Sequence, residues 1–215
     1  MADTNGYATY TFPSGSVYTG EWKDGERHGK GRMEYHTGDV YEGDWACGKR
    51  NGQGYFRFAN GETYEGQWKN GKRHGRGTEV FFDKSRYTGE WAEGKRHGRG
   101  RMDYANGDVY EGDWAGGFPH GTGTYSFAAG GKYTGEWAEG LRHGQGTNLF
   151  PDGDVYSGAW QAGKMHGPGT YVFSDGISLS GIWDRGMRQG RMICTFPDGS
   201  TKAGRYENDV FLGEE

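Results

Sequence analysis

Val17-Tyr18-Thr19-Gly20-Glu21-Trp22 runs into Lys23-Asp24-Gly25, and a second run follows at Gly31-Arg32-Met33-Glu34-Tyr35. In the first run Tyr18, Gly20 and Trp22 alternate with polar or β-branched neighbours, which is the period-2 pattern of a strand. Lys23-Asp24-Gly25 has turn chemistry, with Gly25 free to take positive φ. The second run alternates again, and His36-Thr37-Gly38 turns the chain once more. No stretch carries an apolar stripe of 3.6-residue period long enough for a helix. The segment reads as a β-hairpin.

That hairpin recurs every 23 residues. Tyr18, Tyr41, Tyr64, Tyr87, Tyr110, Tyr133 and Tyr156 lead successive units, and Leu179 and Lys202 keep the phase. Four residues after each leader stands a tryptophan, from Trp22 to Trp183, and Tyr206 takes that place in the last unit. Counting the leader as zero, 42 of the 44 glycines fall at +2, +7, +11, +13 or +20, with only Gly116 and Gly131 outside. The phase gives a partial repeat over residues 1–17, eight 23-residue repeats over 18–201, and a degenerate ninth repeat or C-terminal cap over 202–215. Gly6, Phe12 and Gly15 match the second half of a unit, so the chain reads either as opening on a degenerate cap or as a piece of a longer array.

The expected fold is all-β: an elongated, solenoid-like, single twisted antiparallel sheet of stacked hairpins. At about 4.8 Å per strand, nine units would advance on the order of 85–90 Å. The +2 glycine is expected to leave a bare patch of backbone where an aromatic ring can rest. Aromatics make up 16 % of the chain, so the core must be built from rings, each worth roughly 1.5–3 kcal/mol on burial.

With 25 basic and 29 acidic residues the formal charge is −4, which does not favour nucleic acid. No transmembrane helix or signal peptide is predicted. Two cysteines fit a reducing compartment, and the chain reads as cytoplasmic.

The pattern Tyr133-Thr134-Gly135-Glu136-Trp137, continuing through His143-Gly144-Gln145-Gly146, resembles the MORN repeat (membrane occupation and recognition nexus). The resemblance covers nearly the whole chain. An uninterrupted array is most similar to the all-MORN cytoskeletal proteins of apicomplexan and trypanosomatid parasites. That resemblance implies a non-catalytic scaffold, an elongated homodimer, cytoskeletal protein partners and a cytoskeletal location in a division or collar structure. It also raises two alternatives: a phosphoinositide or membrane-contact module peripheral to a membrane, and the regulatory repeat region of a larger enzyme. Departures are Leu179 and Met192 in unit eight, Lys202, Tyr206 and Asp209 in unit nine, and Lys84 in the +20 glycine column, which leaves that local turn in doubt.

Three groups of residues stand out as sites. The C-terminal units turn apolar, and Leu179, Ile182, Met192, Ile193, Cys194, Tyr206, Val210, Phe211 and Leu212 read as an isologous dimer contact or a self-covering cap. Cys194 there is a candidate zinc ligand shared between chains; no other cofactor is expected. A basic edge of Arg27, His28, Arg50, Arg73, His74, Arg96, His97, Arg142 and His143 reads either as a row for anionic phospholipid headgroups or as salt bridges to the acidic +3 column (Glu21, Asp44, Glu90, Asp113, Glu136). The +10 histidines, about 10 Å apart, cannot share one ion and read as turn residues. The Gly-x-Gly pairs lack the Gly-Lys-Ser/Thr ending of a phosphate loop, and no catalytic constellation emerges.

Overall fold

The computed structural model describes residues 5–215; the first four residues of the partial repeat lie outside them. Every element among the described residues is a strand. The chain divides into two compact units, Met1–Ala105 and Asn106–Glu215, with the boundary inside an inter-repeat turn. In the first unit lie β1 (Gly6–Thr11), β2 (Val17–Lys23), β3 (Glu26–Glu34), β4 (Val40–Ala46), β5 (Lys49–Arg57), β6 (Thr63–Lys69), β7 (Lys72–Val80), β8 (Arg86–Ala92) and β9 (Lys95–Asp103). The second holds β10 (Val109–Ala115), β11 (Phe118–Ser126), β12 (Lys132–Ala138), β13 (Leu141–Leu149), β14 (Val155–Gln161), β15 (Lys164–Val172), β16 (Ser178–Asp184), β17 (Met187–Thr195), β18 (Thr201–Glu207) and β19 (Val210–Glu214). Within each unit every strand pairs antiparallel with its chain neighbours, as stacked hairpins require.

Each 23-residue repeat is one hairpin joined to the next by a turn. The hairpin turn is tighter than the glycine column alone suggests. Asp24 and Gly25 both take positive φ, 51° and 74°, the signature of a type I′ turn whose twist matches the flanking strands. The +6 position is left-handed in all nine units, including Cys47, Glu93, Ala162 and Arg185. Gly116, outside the five glycine columns, sits at +6 and meets that demand at the lowest steric cost. The inter-repeat turn is closed by Tyr35 N–H to Asp39 O and Gly38 N–H to Tyr35 O, both 2.9 Å. Lys84, where the turn was in doubt, keeps the same closure: it adopts φ 75° and donates to Phe81 O at 3.0 Å.

One face of each hairpin is a continuous aromatic stack. Tyr18 lies edge-to-face with its own Trp22 at 5.1 Å and with Trp45 of the next repeat at 5.3 Å. The zigzag continues through Tyr41, Trp68, Tyr64, Trp91 and Tyr87 in the first unit, and from Trp114 to Trp183 in the second. Edge-to-face pairs contribute about 0.5–1.5 kcal/mol beyond burial. The seven lead tyrosines are fully buried, and each hydroxyl donates to the main-chain carbonyl three residues on, at 2.9–3.0 Å. The indole N–H reaches back one repeat, as from Trp45 to Gly31 O at 3.1 Å. No polar edge of these rings is left without a partner.

The glycines explain how a ring fits. The phenol of Tyr18 rests mainly on Gly31, the +13 glycine of the opposite arm, where a Cβ would fall inside the ring. The +2 glycine, expected to be the resting place, also abuts that hydroxyl but chiefly permits close approach of Gly31 across the ladder. Unit eight shows the same space filled differently. Leu179 is shorter than tyrosine, and Met192 replaces the +13 glycine, its side chain occupying the space over Gly181. Both are buried, so the two departures are one compensated exchange of volume.

Gly54 has no left-handed φ, so Gly54→Ala tests the steric claim alone: its Cβ meets the ring of Tyr41. The expected loss is about 2–3 kcal/mol in urea unfolding, against under about 0.5 for Thr19→Ala on the opposite face. Burial pushes the phenols of Tyr18, Tyr133 and Tyr156 up to about 12, and those of Tyr41, Tyr64 and Tyr87 higher still. Because the folded values exceed the unfolded value near 10, this stabilisation is complete below pH about 10 and is lost as pH rises toward 12 and beyond. Tyrosinate absorbance and near-ultraviolet circular dichroism should change together in one alkaline transition; the buried phenols ionising with the dichroism intact would contradict the packing.

Candidate functional site

Strand alternation gives every hairpin two faces. The aromatic face holds the leaders, the tryptophans and the +9, +13 and +15 positions of the second arm; the other face is open. The second arm starts at Glu26, five residues before the alternation seen at Gly31. Two glycines, at 29 and 31, hide the strand there because glycine has low β propensity. The parity of Arg27 with Gly31 and Met33 was the signal that could have placed it.

The arginines of the basic edge therefore lie on the aromatic face. Arg27 stacks over Trp45 of the next repeat at 4.5 Å, Arg50 over Trp68 at 4.2 Å, Arg73 over Trp91 at 4.3 Å and Arg142 over Trp160 at 4.3 Å. Each also donates to the turn-glycine carbonyl of that next repeat, as Arg50 does to Gly71 O at 2.8 Å. The glycine N–H answers to the arginine carbonyl, as from Gly71 to Arg50 O at 2.8 Å. Arg96 lies by the rings of Phe81 and Tyr87. Desolvation holds Arg27, Arg50, Arg96 and Arg142 below the usual arginine range. These cations are joints between repeats. Glu79 intrudes among the rings, where burial raises its carboxyl above the usual range while its bonded partner Arg73 opposes the shift.

His28, His97 and His143 stand in strands, not turns, on the open face and opposite the +3 carboxylates Glu21, Glu90 and Glu136. His74 is in β7. The carboxylates cap a bulge: Glu21 accepts the Lys30 N–H at 2.9 Å, Asp44 that of Gln53 at 2.7 Å, and Glu136 that of Gln145 at 2.7 Å. Main-chain satisfaction is common to all three, and Asp44 adds an ion pair across the arms, to Lys30 at 2.6 Å. Among the described residues no three His, Cys, Asp or Glu side chains are grouped to hold a metal ion.

The open face differs between the two units. In the first, two adjoining grooves of about 740 and 730 Å³ run over a floor of glycine backbone (Gly31, Gly43 and Gly54, then Gly66, Gly77 and Gly89) and share Gln53, Tyr55 and Glu65. Tyr55 is 40 % exposed at their junction. Cross-strand hydroxyl pairs stand on the open face of both units: Thr9 with Thr19 at 3.0 Å and Thr78 with Thr88 at 3.2 Å in the first, and Thr124 with Thr134 at 3.1 Å, Thr147 with Ser157 at 3.0 Å and Thr170 with Ser180 at 2.9 Å in the second.

The C-terminal set is divided between faces. Leu179 and Met192 are buried in the stack; Cys194, Tyr206 and Phe211 share that face and line a cavity of about 170 Å³. Ile182, Ile193, Val210 and Leu212 are exposed, on the open-face parity. Cys47 and Cys194 are both free thiols.

The search of curated proteins gives no match. Among solved structures, the chain is similar to the TCP10 domain of Danio rerio CPAP in complex with a peptide of Danio rerio STIL, at 12 % identity and a TM-score of 0.55, covering 100 % of this chain and 97 % of that one. The wild-type TCP10 domain of the same protein gives 12 % identity and a TM-score of 0.50, covering 97 % and 99 %. At that identity the likeness is one of fold. The MORN repeat profile matches residues 4–17, 18–40, 41–63, 64–86, 87–109, 110–132, 133–155, 156–178 and 180–201. The chain belongs to the MORN-repeat family, a non-catalytic repeat module that serves as a scaffold or binding surface.

Proposed function

We propose that this protein is a non-catalytic scaffold whose open sheet face holds an extended segment of a partner protein. The observation that carries the reading is the pair of grooves over glycine backbone in the first unit, with Tyr55 exposed at their junction. A floor of bare backbone lets another main chain approach closely, and polar side chains on either side supply direction. The tyrosines, tryptophans and arginines of the aromatic face are engaged with one another, so recognition is assigned to the open face. The fold likeness to a domain whose structure holds a peptide supports the same reading. The uninterrupted repeat composition supports a setting in a cytoskeletal assembly.

A second surface supports self-association. Ile182 in β16 and Val210 in β19 are 47 % and 61 % exposed on the open face, which also carries exposed Ile193 in β17 and Leu212 in β19. A second copy of the chain, presenting the same apolar group, is the occupant proposed.

Peptides selected from a random display library with the intact protein should bind several-fold more weakly to Tyr55→Ser, and should lose binding to Thr78→Trp, which fills the second groove. Both variants should keep the wild-type melting temperature. Equal binding by all three proteins would place recognition elsewhere. In light scattering, Ile182→Lys with Ile193→Lys should convert a dimer to a monomer; an unchanged mass would end the self-association reading.

A further inference from the structure

We propose that the second groove of the first unit, between Gln53 and Arg99, receives an acidic extended segment of the partner, a specificity that rests on the docking reading above. Charge in this chain is sorted. Residues 1–105 hold 17 Lys and Arg against 15 Asp and Glu, whereas residues 106–215 hold 8 against 14. An overall charge of −4 thus conceals a cationic first unit.

The sharper observation is Gln67. In the +3 column Glu21, Asp44, Glu90, Asp113 and Glu136 each cap the bulge by accepting a main-chain N–H nine residues on. Gln67 makes the same bond with its amide oxygen, to the Arg76 N–H at 2.9 Å. The structural task is met with one negative charge fewer, so what distinguishes Gln67 is the field it leaves on the open face. Arg76, Arg86 and Arg99 line the groove at that place, against Glu65 and Glu90. Of these carboxylates, Glu90 is already engaged in capping the Arg99 N–H.

The neighbouring groove shows what neutralised cations look like. There Lys30 is paired with Asp44 at 2.6 Å and Arg32 is bonded to Glu34. Neither Arg76 nor Arg86 has an ion-pair partner among the described residues. Two guanidinium groups without internal partners, beside a glycine floor and an exposed tyrosine ring, fit carboxylates carried on an extended chain. Tyr55 supplies a flat ring for an adjacent side chain.

The test is fluorescence anisotropy on the intact protein with fluorescein-labelled twelve-residue peptides of alternating Glu-Thr, Lys-Thr and Asn-Thr. The Glu-Thr probe should bind, with affinity falling as salt is raised, and the other two should not. Gln67→Glu keeps the bulge cap and restores the missing charge, so it should weaken binding about fivefold or more without lowering the melting temperature. Arg76→Gln and Arg86→Gln should do the same, and Arg191→Gln in the second unit should not. Equal affinity of Gln67→Glu and wild type, or no binding of the acidic probe, overturns the proposal. So does Gln67-dependent sedimentation with phosphatidylserine vesicles when the peptide is silent, which would make the ligand a membrane. If the acidic probe fails while library peptides remain sensitive to Tyr55→Ser, the docking reading stands and only its chemistry falls. Silence in both assays removes both.

Discussion

A phenol resting on bare glycine backbone, held between two indoles, is the contact on which this fold depends. A lone hairpin in water is marginal because it has no second layer to pack against. Here the second layer is made of the hairpin's own tyrosine and the tryptophan of the next repeat. The tyrosine can sink to zero exposure only because the residue beneath it has no side chain, and its hydroxyl can sink only because a carbonyl three residues on accepts its proton. Each repeat thus needs its neighbour, and stability accumulates along the stack as a sum of adjacent contacts.

The same dependence assigns the arginines. A guanidinium over an indole, with one N–H directed at a turn carbonyl, satisfies charge and geometry together at the edge of the stack. Where arginine is absent from this column, at Pro119 and Met165, the main-chain bond from the next turn glycine persists. The cation strengthens a joint that the backbone already makes. The opposite side keeps one structural duty, the carboxylate or amide that caps each bulge, and the residues around those caps vary: Tyr55, Arg76 and Arg86 stand there in the first unit.

Some residues betrayed their roles in the linear chain and others did not. Tyr18, Trp22 and the glycine columns declared a hairpin because each acts within one repeat or at a fixed offset. Met192 looked like a lost glycine, yet it fills the volume that Leu179 vacates. Arg27 looked like a surface charge, because the ring it covers belongs to the next repeat, 18 residues later. Glu21 looked like a salt-bridge partner, whereas its carboxylate is spent on a main-chain N–H. Val210 and Phe211 are sequence neighbours that point to opposite faces.

By itself, then, the sequence determined the 23-residue period, the all-β class and the ring-on-glycine core, since alternation and turn chemistry act over a few residues and repeat without interruption. Only the tertiary structure decided which polar side chains are inward joints and which stand on the open face. That choice depends on registers between adjacent arms, set by a bulge at the +11 and +12 positions, and on contacts that close only once the next hairpin is in place.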